Sequence, residues 1–185
     1  MVLKIALDLD GVLADSISEW LAIWNELKGS SLTLEDVRCW DFWKELGITS
    51  SEFHRIFYKA WKNWQLIQPT EPDLISKVAM LEELGRVDIV TSRPKNTRKY
   101  VLKWLEKFGL GSKNVVFVTS NKSELDYDVY IDDSPINAEE IAAAGKYVAL
   151  YDRPWNRRVK DTDRIKRVMN LSEAYLFIKT HVLGC

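Results

Sequence analysis

Four short polar clusters hold the side chains whose types and spacing allow chemistry. The first is DLDGVLAD, Asp8 to Asp15. Two carboxylates two residues apart, Asp8 and Asp10, face one site when the chain turns directly after them, and Gly11 permits that turn. A hard cation such as magnesium takes oxygen ligands and keeps room for water and a phosphate. A polar strand-to-loop turn is the plain structural alternative. A calcium loop fails on spacing, because it wants glycine at its sixth position and an acid at its fifth, where this chain has Gly11 at the fourth and Val12 at the fifth. The second cluster is VTSRP, Val90 to Pro94. A hydroxyl at a strand end can donate to a phosphoryl oxygen, although Thr and Ser ahead of a helix commonly serve as caps. The third is Lys122 in SNKSELDYD; a cation there would offset negative charge, although most lysines are solvated. The fourth is VYIDDSP, where Asp132 and Asp133 repel each other unless a cation compensates, or else cap a helix.

The elements that must position these clusters follow from the pattern around them. Val2, Leu3, Ile5, Ala6 and Leu7 form a short apolar run that reads as a buried strand over 2–7. Ile17, Trp20, Leu21, Trp24 and Leu27 then recur at helical spacing over 16–28. Thr33 with Asp36 marks a short helix start, and Thr49 with Glu52 is a capping box for a helix carrying Phe53, Ile56, Phe57, Ala60, Trp61 and Trp64 on one face. After Pro69 strands alternate with helices. Thr70 and Pro72 start a helix that Gly85 follows, and further strands are expected at 87–90, 115–118, 129–131 and 147–150. Helices are expected around 100–108, from Pro135 to Ala144, and over much of 162–181. The fold class is therefore α/β: a Rossmann-like parallel sheet of about five strands flanked by helices, with a small helical unit inserted after the first strand. The expected division is a core of residues 1–15 and 69–185 and a helical insertion of residues 16–68. In such sheets ligands bind beyond the carboxyl ends of the strands, which is where Asp8 and Asp10, Thr91 and Ser92, and Asp132 and Asp133 fall.

Length and composition bound the rest. The chain has 185 residues, 46% apolar and 29% charged, with a formal net charge of −1. That suits one core domain with a small insertion, and gives no global basic field for nucleic acid or membrane surfaces. Cys39 and Cys185 lie at neither a metal nor a redox spacing. The first residues enter a strand without a signal-peptide pattern, and no apolar run approaches the ~20 residues of a membrane span, so a cytoplasmic protein is expected. Of eight tryptophans, Trp20, Trp24, Trp40, Trp43, Trp61 and Trp64 lie in the helical insertion.

Asp-x-Asp-Gly, then Thr/Ser, then Lys, then paired Asp, each on its own strand end or loop, resembles the signature of haloacid-dehalogenase-type phosphohydrolases. The resemblance spans the whole chain, including a helical cap after the first motif. Lys122 ten residues before Asp132, and DRPWNR (Asp152 to Arg157) after the fifth strand, look most like the 5'(3')-deoxyribonucleotidase branch. The resemblance implies an Mg2+-dependent phosphomonoesterase. Asp8 would be the nucleophile, forming an aspartyl-phosphate. Asp10 would protonate the leaving oxygen, then activate water, and offer its backbone carbonyl to the metal. Thr91, with Ser92, would bind the phosphoryl oxygens, and Arg93 in the same loop is a further candidate substrate contact. Lys122 would pair with phosphate and nucleophile. Asp132 and Asp133 would complete the metal site with Asp8 and Asp10, Asp132 being favoured as the direct ligand.

Trp20, Trp24, Trp61 and Trp64 read as the core of the helical insertion. Trp40 and Trp43, in the loop-like stretch CWDFW, read as candidates for stacking on a nucleobase. Arg153, Asn156 and Arg157 either orient the catalytic loops or touch substrate, and neither His54 nor His181 is expected to be catalytic. The expected partner is a small phosphomonoester, a nucleoside monophosphate first, with neither membrane nor nucleic acid. An aromatic-rich insertion is also a surface on which a homodimer could form. A sugar phosphate is the nearest rival substrate, ahead of nucleic-acid ends. A non-catalytic scaffold of the same fold is disfavoured because every motif residue is present.

Overall fold

The computed structural model describes residues 2–184. Among them six strands form one parallel sheet: β1 (Leu3–Leu7), β2 (Gly85–Thr91), β3 (Val115–Phe117), β4 (Val129–Asp132), β5 (Tyr147–Tyr151) and β6 (Ile165–Val168), in the order β3-β2-β1-β4-β5-β6. Side chains alternate across the pleat. Ile5, Leu7, Ile89, Val129, Ile131 and Ala149 enter one core, and Ala6, Val90, Tyr130, Val148 and Leu150 enter the other. Both faces are thus apolar and both carry helices, as a parallel sheet requires. The flanking helices are α3 (Leu74–Glu82), α4 (Arg98–Lys107), α5 (Pro135–Ala143) and α6 (Leu171–Phe177).

The sixth strand corrects the expectation of about five. β6 lies inside 162–181, which was expected to be helical. It is an edge strand pairing only with β5, through Val148 to Tyr151 against Ile165 to Val168. Buried Ile165 and Val168 flank Lys166 and Arg167, so it lacks the continuous apolar run of an inner strand. The helix starts only at Leu171, where the side chain of Asn170 accepts from Glu173 N. The helix expected from Thr70 likewise begins later, at Leu74 after the cap Asp73.

Two helices occupy the insertion after β1: α1 (Ser16–Lys28) and α2 (Ser50–Lys62). They pack through Trp20, whose Nε1 donates to Phe53 O at 3.1 Å and whose ring stacks on Trp24 at 5.5 Å. Trp61 is fully buried, whereas Trp64 lies beyond the end of α2 and is half-buried. The segments entering and leaving the insertion are tied together: Asp15 N donates to Gln68 O and Thr70 N to Leu13 O, both at 2.9 Å. Trp104 on α4 fixes the exit by donating Nε1 to Ile67 O at 3.0 Å. No helix among the described residues is long and apolar enough to cross a membrane.

Candidate active site

The strand order places a switch point at β1. Connections run from β1 to β2 and β3 on one side, while β4 pairs on the other, so a crevice opens beyond the carboxyl ends of β1 and β4. Asp8 follows β1 directly, its N–H donating to Ile131 O at 2.9 Å, and Asp132 ends β4. Asp8, Asp132 and Asp133 are all buried and each offers an oxygen within 4.8 Å of the others. Lys122, also buried, lies 2.8 Å from Asp8 Oδ1 and 2.7 Å from Asp132 Oδ2.

These groups perturb one another. Burial pushes the Asp8 carboxyl up to about 7, against the attraction of Lys122. Burial with the charges of Asp8 and Asp132 raises Asp133 well above the carboxylate range. Burial alone would lower Lys122, but Asp132 and Asp8 hold it above the usual ammonium range. Fully ionised, the cluster would hold more buried negative charge than one ammonium compensates.

The two aspartates of β4's end are not equivalent. Asp132 is fully engaged: Oδ2 meets Lys122, Oδ1 accepts from Ser134 N at 2.9 Å, and Asn137 Nδ2 lies 3.1 Å from both oxygens. The carboxylate of Asp133 accepts no hydrogen bond among the described residues and lines the cavity. Gly11 makes room for it. Gly11 has φ 78°, and a Cβ there would lie 1.9 Å from Asp133 Oδ2, so both backbone and space demand glycine. The loop after β5 braces the same region: Arg153 Nε donates to Gly11 O at 2.6 Å, and Asn156 Nδ2 to Asp133 O and Tyr151 O.

Asp10 stands opposite, held by three donors. Ser16 Oγ and Trp61 Nε1 both meet Oδ1, at 2.6 and 2.9 Å, and Arg93 Nε lies 3.1 Å from Oδ2. Arg93 also lies over the Phe57 ring at 3.8 Å. Thr91 is buried at the end of β2, its Oγ1 accepting from Arg93 N, and Ser92 beside it is exposed.

Over this floor lies a cavity of ≈370 Å3. Asp8, Asp10, Thr91, Ser92, Arg93, Lys122 and Asp133 line its base; Trp40, Phe42, Trp43, Phe53 and Phe57 line its roof. The charged candidates and both tryptophan candidates thus meet in one space, except Asp132, which lies behind. CWDFW is not simply a loop: Phe42–Lys44 is a 3-10 turn, Phe42 is buried, and Trp43 stacks on Phe53 at 4.5 Å.

A family model described as "5' nucleotidase, deoxy (Pyrimidine), cytosolic type C protein" matches residues 1–182. The chain belongs to this family. It is 31% identical over 171 residues to a 5'(3')-deoxyribonucleotidase of Bacillus subtilis (strain 168), covering 91% of this chain and 94% of that one. A nucleotidase of Clostridium acetobutylicum is 26% identical over 181 residues, covering 94% and 92%. In fold, the 5' nucleotidase chain resembles a haloacid-dehalogenase-like hydrolase of Streptococcus pneumoniae (TM-score 0.67, 16% identity, 96% and 98% covered). It also resembles a magnesium-bound haloacid-dehalogenase hydrolase of Bacillus subtilis (TM-score 0.61, 14% identity, 96% and 99% covered). The chain is thus a phosphoric monoester hydrolase of the 5' nucleotidase family with the fold of haloacid-dehalogenase-like hydrolases.

Sequence reasoning missed several groups around this candidate site. Ser16 and Trp61 bind Asp10, Asn137 binds Asp132, and His54 and Trp155 line the cavity. Trp61 carried only a packing signal, because helical periodicity shows that a ring points inward and not what its N–H meets. Trp155 Nε1 and Arg153 Nη2 are buried without a hydrogen-bond partner among the described residues.

Proposed function

We propose that this nucleotidase is a magnesium-dependent 5'(3')-(deoxy)ribonucleotidase that works through an aspartyl-phosphate on Asp8. The observation that carries the reading is one cavity that joins a buried carboxylate–lysine floor to an aromatic roof. The floor suits a phosphate and a hard cation, and the roof suits a nucleobase.

The donor set fits magnesium: three buried carboxylates supply only oxygen, and the cluster, fully ionised, would hold surplus negative charge. Asp8, Asp133 and the main-chain carbonyl of Asp10 would hold the ion. We assign direct contact to Asp133 rather than to Asp132, the aspartate favoured on sequence, because Asp132 is already spent on Lys122, Ser134 and Asn137. Bound there, magnesium would neutralise charge on the nucleophile and the phosphoryl oxygens.

The chain's own residues do the rest. An oxygen of Asp8 attacks phosphorus, and the bond to the nucleoside oxygen breaks as Asp10 gives that oxygen a proton. Asp10 then takes a proton from water, whose oxygen displaces phosphate from Asp8 and restores the carboxylate. Lys122 holds Asp8 in place and shares its charge; Thr91 and Ser92 donate to the phosphoryl oxygens. Residues 16–68 act as a cap over residues 1–15 and 69–185, and Trp40 and Trp43 present ring faces to the base. The cytosolic type named by the family supports a cytoplasmic location.

The test is phosphate release from a panel of nucleoside monophosphates and sugar phosphates, with magnesium and with chelator, for wild type and Asp8→Asn. Magnesium-dependent release that favours nucleotides and vanishes in the variant is expected. Equal release from sugar phosphates would remove the nucleotide reading and keep the phosphatase.

A further inference from the structure

The contacts around Asp10 come mostly from the insertion, not from the strand that carries it. Trp61 sits on α2, 51 residues further along the chain, and its indole is fully buried. The ring is held by an edge contact to Trp104 on α4, with centroids 6.4 Å apart. Ser16, the first residue of α1, meets the same oxygen. Oδ1 of Asp10 thus accepts two hydrogen bonds, its usual capacity. Oδ2 is left facing Arg93, whose guanidinium rests on Phe57, again on α2. An indole N–H can donate and never accept, so Trp61 can hold Oδ1 only as an acceptor. Any proton exchanged with a leaving group must therefore travel on Oδ2.

We propose that Trp61 is a positioning residue: its indole N–H, delivered by α2, orients the Asp10 carboxyl so that Oδ2 faces the leaving group. Asp10 is then correctly aimed only while α2 is seated on the core. The inference rests on the reading of Asp10 as acid and base. A tryptophan that merely fills the core would leave the orientation of Asp10 untouched.

The two roles separate by leaving group. Dinitrophenyl phosphate expels an oxygen that needs no proton, whereas an alkyl phosphate or nucleotide expels one that does. kcat/KM reports the first displacement, so it isolates the acid role of Asp10. The experiment is kcat/KM, with magnesium, across aryl and alkyl phosphates of graded leaving-group basicity, for wild type, Trp61→Phe and Asp10→Asn. Thermal unfolding runs alongside. Trp61→Phe keeps an aromatic ring and removes the donor. The expected loss is small with dinitrophenyl phosphate and grows to roughly ten-fold with alkyl phosphates, part of the ~10²–10⁴ that acid–base catalysis supplies. Replacing Trp61 by benzothienylalanine, which has the same shape and no N–H, gives the same slope if the phenylalanine variant unfolds. A loss equal across the series, or no loss, overturns the proposal. If Asp10→Asn shows a leaving-group-dependent loss and neither Trp61 replacement does, the positioning role alone fails. If Asp10→Asn shows none, the acid–base reading fails first.

Discussion

The ammonium of Lys122 lies 2.8 Å from Oδ1 of Asp8, with both side chains removed from solvent. It also reaches Asp132 at 2.7 Å, so one cation serves two carboxylates and a third, Asp133, stands close by. Removing one partner of a buried pair leaves an uncompensated charge, at a cost of about 3–5 kcal/mol. Lys122→Met should therefore lower stability by that order in chelator, measured by denaturant unfolding. Magnesium should restore part of it, because the cation relieves the same repulsion, while turnover stays at least ~10²-fold down for want of charge stabilisation. A variant as stable as wild type in chelator would contradict this account of the cluster.

The pH dependence of stability has a definite sign. Burial pushes Asp8 from 3.8 up to about 7, and burial with Asp8 and Asp132 raises Asp133. Without metal the native chain keeps these protons at a pH where the unfolded chain has released them. The Asp8 contribution to stability is full below about pH 4 and is lost as pH rises through about 7, by up to ~1.4 kcal/mol per unit, and the Asp133 contribution runs in the same direction. The unfolding midpoint in chelator should fall between about pH 5 and pH 8. Magnesium should raise it most at the upper end, where it takes the place of the protons. Asp8→Asn should flatten part of the slope. A metal-free midpoint that is identical in wild type and Asp8→Asn across this range would contradict the shift at Asp8.

Two links between the insertion and the core should differ sharply in weight. Arg157 and Glu35 form a two-point ion pair at 2.8 and 3.2 Å, but both are exposed. Water and salt screen such pairs, so Arg157→Ala should leave the unfolding midpoint close to wild type. Trp104 Nε1 donates to Ile67 O in the interior. Trp104→Phe should cost about 1–3 kcal/mol, because a buried carbonyl loses its partner. Calorimetry on the two variants checks the ordering.

Trp40 and Trp43 offer unequal tests of base contact. Trp43 stacks on Phe53, so its removal also disturbs the roof. Trp40 lines the cavity while 37% exposed, so its loss should cost little stability. If its face meets a base, Trp40→Ala should raise KM for nucleoside monophosphates roughly ten-fold, near the lower half of the ~1–3 kcal/mol per stacked base. KM for a baseless phosphomonoester should stay put. Equal effects on both substrates would remove the stacking role.

The sheet and its charged floor were legible because a parallel strand ends where its apolar run ends, and catalytic side chains collect at those ends. Asp8, Thr91, Asp132 and Asp133 each follow such a run, and Lys122 precedes one. β6 was hidden because an edge strand with lysine and arginine between two apolar residues matches no inner-strand pattern. The partners of Asp10 were hidden for another reason. Ser16 read as the start of one helix and Trp61 as part of the buried face of another, and both readings hold, yet the hydrogen bonds each makes depend on how α1 and α2 dock. Arg93 was legible as a candidate substrate contact after β2, but not as the partner of Asp10 and Phe57. Which of Asp132 and Asp133 stays open depended on Asn137, one turn into α5.

On the proposed mechanism Asp8 takes the phosphoryl group. The most direct measurement mixes the protein with a labelled nucleoside monophosphate and magnesium, quenches in acid within the first turnovers, and maps the label by peptide mass spectrometry. One phosphoryl group is expected on the peptide that contains Asp8, absent in chelator and absent from Asp8→Asn. Label on another residue, or undiminished phosphate release by Asp8→Asn, would contradict it.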